Sequence, residues 1–377
     1  EAQERVFETF HFALRSDGRL LLGSSEAVEG ALPLFGALDK QQRIWIAYSE
    51  PVADGAHIKV ARFDTRQEKW ASALTVNATD EHVSADGENR PKLAFGPRDE
   101  MYVSWTSPTS GKYTADIRFS RSLDQGRTWS RPMTVHQDRQ RIAHRFESLS
   151  VDARGRIWLA WIDKRDLTAA QQAGREYSGA AIYYAYSDDR GTTWHGDFKL
   201  ADQSCECCRI ATALDSSGNV HAMWRHVFPP NERDHAFAKL TAAPEAPTIQ
   251  RVTFDRWAID ACPHHGPGLA FGANDVRHAV WFNQLDGNGR VFYGQLSTGA
   301  PSRVRELPAG AMHADVAAIG TTVAVAWKRF DGTATRLETW LSSDNGATFA
   351  PGPVLSTSSD SDQPRLVRAD DDIFLVW

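Results

Sequence analysis

Short apolar segments recur along the chain at intervals of roughly 50 to 60 residues, and each ends in an aromatic residue. They are Ile44–Tyr48, Met101–Trp105, Ile157–Trp161, Val220–Trp224, Arg277–Trp281, Val323–Trp327 and Ile373–Trp377. Apolar and polar positions alternate around them, Val, Ile and Trp are frequent, and Gly, Asp and Asn break the runs, which is the signature of strands joined by tight turns. Repetition at this period predicts sheets arranged radially, each unit reading as strands A and B followed by a C–D hairpin. The seventh unit, from Gln363 to Trp377, has room for A and B only. Residues 7–23, with the turn Ser16-Asp17-Gly18, are expected to supply its outer strands and close the ring. The expectation is therefore an all-β, seven-bladed propeller with 1–377 as one domain. A short helix is expected within the loop Leu167–Arg175, where Ala169, Ala170, Gln171 and Gln172 cluster.

Composition narrows the partners. Hydrophobic residues make up 42% and charged residues 24%, with a net charge of -6. That balance argues against a nucleic-acid partner, and no apolar run is long enough to span a bilayer as a helix. A second repeat lies between the apolar segments. Ser122-x-Asp124-x-Gly126-x-Thr128-Trp129 recurs as Ser187-x-Asp189-x-Gly191-x-Thr193-Trp194 and as Ser342-x-Asp344-x-Gly346-x-Thr348-Phe349. In these residues the chain resembles the sialidase-like BNR/Asp-box β-propellers. The run Cys205-x-Cys207-Cys208-Arg209, with Cys262-Pro263-x-x-Gly266-Pro267, is similar to one subgroup of them. The resemblance implies a periplasmic or secreted protein, and hence a leader preceding Glu1. It also implies that the Asp-boxes report fold and not chemistry.

A propeller gathers chemistry where its D–A and B–C loops open on one face. Residues near the starts of strand A include Arg90, His144, Arg145, the four cysteines, Arg209, His264, His265, His313 and Arg365; Arg225, His226 and Lys328 follow strand B. His136 is expected outside this mouth. Thiols and imidazoles together suit a thiophilic ion. Cys205, Cys207, Cys208, Cys262, His264 and His265 are accordingly the expected metal ligands, for copper in preference to zinc, in copper handling or copper-dependent oxidation of a small molecule. The competing reading makes the same cysteines structural disulfides, as is common in exported proteins.

The resemblance also implies an alternative: an exo-acting, sialidase-like glycoside hydrolase. That activity would need an arginine triad for a substrate carboxylate, a Tyr nucleophile and an acid/base Asp. Arg90, Arg145, Arg209, Arg225 and Arg365 could supply the first. No tyrosine follows Tyr293, and Glu147 and Asp163 show no recognisable pairing. A third reading is a non-catalytic interaction module, since propellers often only display loops.

Overall fold

The computed structural model describes residues 10–14, 20–24, 35–64, 69–77, 79, 81–85, 87–243, 245–259, 261, 263–357, 360–369 and 371–377. Cys262, an expected metal ligand, lies outside them, as do 7–9 and 15–19 of the expected closing hairpin. The described residues form an all-β propeller. Blade 1 runs Phe35–Leu38, Ile44–Val52 and Gly55–Asp64, with short outer strands Lys69–Trp70 and Leu74–Thr75. Blade 2 runs Lys92–Phe95, Met101–Pro108, Ala115–Ser122 and Met133–Thr134; blade 3 runs His144–Val151, Ile157–Asp163, Ala180–Ser187 and His195–Ser204. Blade 4 comprises Ala211–Leu214, Val220–Arg225, His235–Lys239 and Gln250–Arg251. Blade 5 comprises Gly268–Phe271, Arg277–Asn283, Arg290–Leu296 and Ser302–Glu306; blade 6 comprises Met312–Ile319, Thr322–Phe330, Thr335–Ser342 and Ala350–Thr357.

The described residues form six blades, not the expected seven. Each is an antiparallel meander of consecutive strands. The expected seventh unit contributes the antiparallel pair Arg365–Ala369 and Asp372–Val376. The N-terminal hairpin, Phe10–Leu14 with Leu20–Ser24, lies beside it in a mixed sheet. It joins in parallel, through the pairs Leu21↔Leu375 and Leu22↔Val376. This terminal sheet sits beside the inner strands of blades 1 and 6. Counting Trp-ended strands therefore overcounted the blades, since a strand pair carries the aromatic but not the meander.

The period-2 pattern buries one large aromatic per strand B. Trp105, Trp161, Trp224, Trp281 and Trp327 are all fully buried, and such side chains dominate core energetics. The three Ser-x-Asp-x-Gly-x-Thr segments fold alike. Asp124 Oδ1 accepts from Thr128 N at 2.9 Å and its Oδ2 from Thr128 Oγ1 at 2.6 Å; Asp189 and Asp344 bond Thr193 and Thr348 in the same way. Gly346 sits at φ +74, where a Cβ would fall 1.9 Å from Tyr293 Oη, so only glycine fits. The aromatics reach the preceding blade: Trp194 meets Phe119 edge-on, and Phe349 meets Tyr293. Ser122 ends strand C opposite Met101, the start of strand B, so these turns lie away from the mouth. The helix occupies Arg165–Gln172, close to the expected segment, in the loop between strands B and C of blade 3.

Candidate functional site

Two β-bulges shape the mouth. In strand A of blade 3 the register shifts between Arg145 and Ser148, with Phe146 at φ 57. In strand A of blade 6 it shifts between Met312 and Asp315, with His313 at φ 51. A bulge adds one residue and re-aims the side chains beside it. Here Arg145 and His313 come to line one cavity of about 580 Å³, together with Phe146, His264, Lys328 and Asp360. His264 also has positive φ, 52, and is exposed. Lys328 Nζ donates to Asp360 Oδ1 at 2.9 Å and to the Ser361 carbonyl at 2.6 Å. The sequence-predicted residues Arg145, His264, His313 and Lys328 are thus brought together.

The floor of the cavity is Glu88. Its Oε2 accepts from Arg209 N at 3.0 Å and Gly266 N at 3.1 Å, and its Oε1 from Arg209 Nη1 at 2.9 Å. His313 Nδ1 lies 3.6 Å away. Burial works against the charged carboxylate, but the Arg209 guanidinium and the imidazole prevail and hold Glu88 well below the usual carboxylate range. It is a fixed anion, not a proton donor. Gly87, Glu88 and Gln363 line both this cavity and a deeper one in the channel.

The remaining predicted residues take other roles. Arg90 makes a two-pronged bond to Asp362, 2.8 Å on each arm, with both groups buried. Arg365 faces the deeper cavity and meets Asp315 Oδ1 at 3.2 Å. Glu147 is buried in the channel wall and accepts from Thr106 Oγ1 at 2.7 Å; burial raises its pKa. Nearby Lys92 is pushed down to about 8 by burial, with Glu147 opposing. His265 is sandwiched between Phe282 and His313, at ring distances of 4.0 and 4.1 Å. His226 accepts from Trp224 Nε1 at 3.4 Å and packs on Phe228. Cys205, Cys207 and Cys208 are buried in the core with Ile210 and Ala236, separate from His264.

A second polar cluster lies on the mouth face; sequence reasoning placed His144 there but set its partner His136 outside it. His136 and His144 stack at 3.8 Å between blades 2 and 3. Their Nδ1 atoms meet the carbonyls of Asp138 and Ala115 at 2.6 and 3.1 Å, which leaves each Nε2 facing carboxylates. His136 Nε2 is 3.4 Å from Asp116, and His144 Nε2 is 3.7 Å from Asp163. Arg165 spans Asp163 and Asp197 at 2.7 Å each. Glu88 was also missed: Gly87-Glu88-Asn89 reads as an ordinary polar loop.

Burial sets a pH dependence. It lowers the pKa of His144, His221, His226, His235, His265 and His278 below the ordinary 6.5, to about 4 for His226 and about 3 for His265. Below 6.5 the unfolded chain takes up protons that the folded protein refuses, so this stability is present above 6.5 and is lost as pH falls toward 3 to 4. The melting temperature should be clearly lower at about pH 5 than at about pH 7.5. An unchanged or higher value at the acid end would contradict it.

No family model matches the sequence, and no curated protein matches it. Solved structures do, and they are sialidase-like β-propellers. The chain is similar to a PL25 polysaccharide lyase, an ulvan lyase bound to GlcA(1-4)Rha3S, at 11% identity and TM-score 0.56, covering 91% of this chain and 88% of that one. It is also similar to the GH93 α-L-arabinofuranosidase of Fusarium graminearum with arabinobiose, at 11% identity and TM-score 0.55, over 92% and 96% of the two chains. A Hadza microbial sialidase matches at 12% identity and TM-score 0.50, over 87% and 66%. At these identities the likeness defines the fold. The enzymes named are glycoside hydrolases and a polysaccharide lyase.

Proposed function

We propose that this chain is a carbohydrate-active enzyme that cleaves a glycosidic bond in a carboxylate-bearing saccharide at the mouth cavity. The observation that carries the reading is the lining itself: a guanidinium, an ammonium and two imidazoles around one cavity, over a floor carboxylate already locked by Arg209. Arg145 is the carboxylate clamp, because a planar guanidinium suits a two-oxygen anion. His313 and His264 are the proton-transfer groups. The propeller neighbours named for polysaccharide or arabinose-containing ligands support a saccharide in this place.

Elimination fits these residues better than hydrolysis. Hydrolysis calls for two carboxyl groups flanking the bond. The cavity's Asp360 is tied to Lys328, and Glu88 cannot give a proton. In elimination, a clamped carboxylate acidifies the neighbouring C–H. One imidazole takes that proton, the bond from the adjacent carbon to the glycosidic oxygen breaks, and a second group protonates the leaving oxygen. The electron pair becomes a carbon–carbon double bond conjugated to the carboxylate.

The test is a panel of polysaccharides with and without uronate, read by ultraviolet absorbance and reducing ends together. The expected result is both signals on uronate polymers and neither on neutral arabinan. Reducing ends without absorbance would assign hydrolysis instead. Turnover confined to neutral polymers, or none on any, would overturn the reading.

A further inference from the structure

Of the expected metal ligands, Cys262 lies outside the described residues, and His264 is apart from the other three cysteines. His264 lines the mouth, while three cysteines converge elsewhere, in Cys205-Glu206-Cys207-Cys208 between the last strand of blade 3 and the first of blade 4. Cys205 N–H donates to the Arg225 carbonyl at 2.9 Å, which fixes the start of the segment against strand B of blade 4. Cys205 Sγ lies 3.4 Å from Cys208 Sγ and 3.8 Å from Cys207 Sγ. A disulfide would bring two sulfurs to about 2.05 Å, so none of these contacts is a bond. Thiolates at tetrahedral corners about 2.3 Å from a zinc ion stand about 3.8 Å apart, close to the 3.8 and 3.4 Å seen.

The plain alternative is that the thiols are small core side chains. Packing alone gives no reason for three sulfurs from four consecutive positions to turn inward onto one point, in a segment without regular structure. The residues are 1%, 5% and 2% exposed, so anything held there is sealed from solvent and from the mouth.

We propose that Cys205, Cys207 and Cys208 supply three thiolate ligands to one zinc ion, in a buried site that fastens blade 3 to blade 4, the fourth tetrahedral position being filled by a ligand other than these three. On binding, each thiol gives its proton to solvent and no electron is transferred. Zinc suits a buried set of thiolates at this spacing.

Metal content decides the matter without any substrate. Folded protein purified with neither chelator nor added metal is expected to carry about one zinc per chain, released in step with thiol modification by a mercurial. Cys208→Ser should lose at least about ten-fold of the retained zinc. Should that variant fail to fold, wild-type protein reconstituted with Co(II) should show thiolate-to-cobalt charge-transfer bands. Folded wild-type protein with less than about a tenth of an equivalent of zinc would overturn the proposal. Stoichiometric copper in place of zinc, or a disulfide among the three cysteines in unreduced protein, would overturn it equally.

Discussion

Arg145→Ala should cut turnover on a uronate polymer by roughly 10²–10³-fold, the usual loss when a group that stabilises developing charge is removed. The side chain reaches the cavity only because the blade 3 bulge inserts a residue after it. On the proposed function it clamps the carboxylate that becomes more negative as the neighbouring proton leaves, so the loss should appear in kcat as well as in KM. Arg145→Lys should recover only part of it, since an ammonium keeps the charge but not the two-pronged geometry. Arg154, far more exposed and paired only with Asp152 at 3.6 Å, is the control; Arg154→Ala should leave turnover unchanged. Wild-type rates in Arg145→Ala would remove Arg145 from the mechanism.

Stability should be hit hardest at Arg225. This arginine is 1% exposed, yet it belongs to no ion pair among the described residues. Its guanidinium donates to three carbonyls: Arg233 at 3.1 Å, His265 at 3.0 Å and Phe282 at 2.7 Å. It also lies over the Trp257 ring at 5.1 Å. The arrangement ties strand B of blade 4 to the loop and strand B of blade 5. Arg225→Met keeps the apolar bulk but strands buried carbonyls, at a cost of about 3–5 kcal/mol. The melting temperature should fall by about 5–10 °C. A drop of less than about 2 °C would mean that water replaces the guanidinium at all three carbonyls.

Much of this architecture was readable from the sequence, because period-2 alternation and the buried Trp are local signals that a repeat multiplies. The Asp turns were legible for the same reason: carboxylate, glycine and hydroxyl act within a few residues of one another. The blade count was not, since a strand pair looks the same whether or not a hairpin follows it. At the site, positions at the ends of strands A and B pooled Arg145, His264, His313 and Lys328, which line one cavity. They could not separate those residues from Arg90, Arg209 and Arg365, whose carboxylate partners Asp362, Glu88 and Asp315 lie far away in the sequence. The cysteines and His264 looked like one site because adjacent blades are neighbours. A buried segment and an exposed loop can nonetheless share a blade boundary and face different ways. His136 lies well outside any strand start, and only the path of its loop stacks it on His144.

The shared floor at Gly87, Glu88 and Gln363 has a consequence for how a polymer could be handled. The loops before blades 2, 4 and 5 are knotted there by one carboxylate, and Arg209 Nη1 reaches Gln363 Oε1 at 3.2 Å to add the loop before the terminal sheet. On the proposed function, a saccharide that enters the mouth meets this tied floor, which favours trimming from a terminus, with small fragments accumulating from the start while the parent polymer shortens slowly.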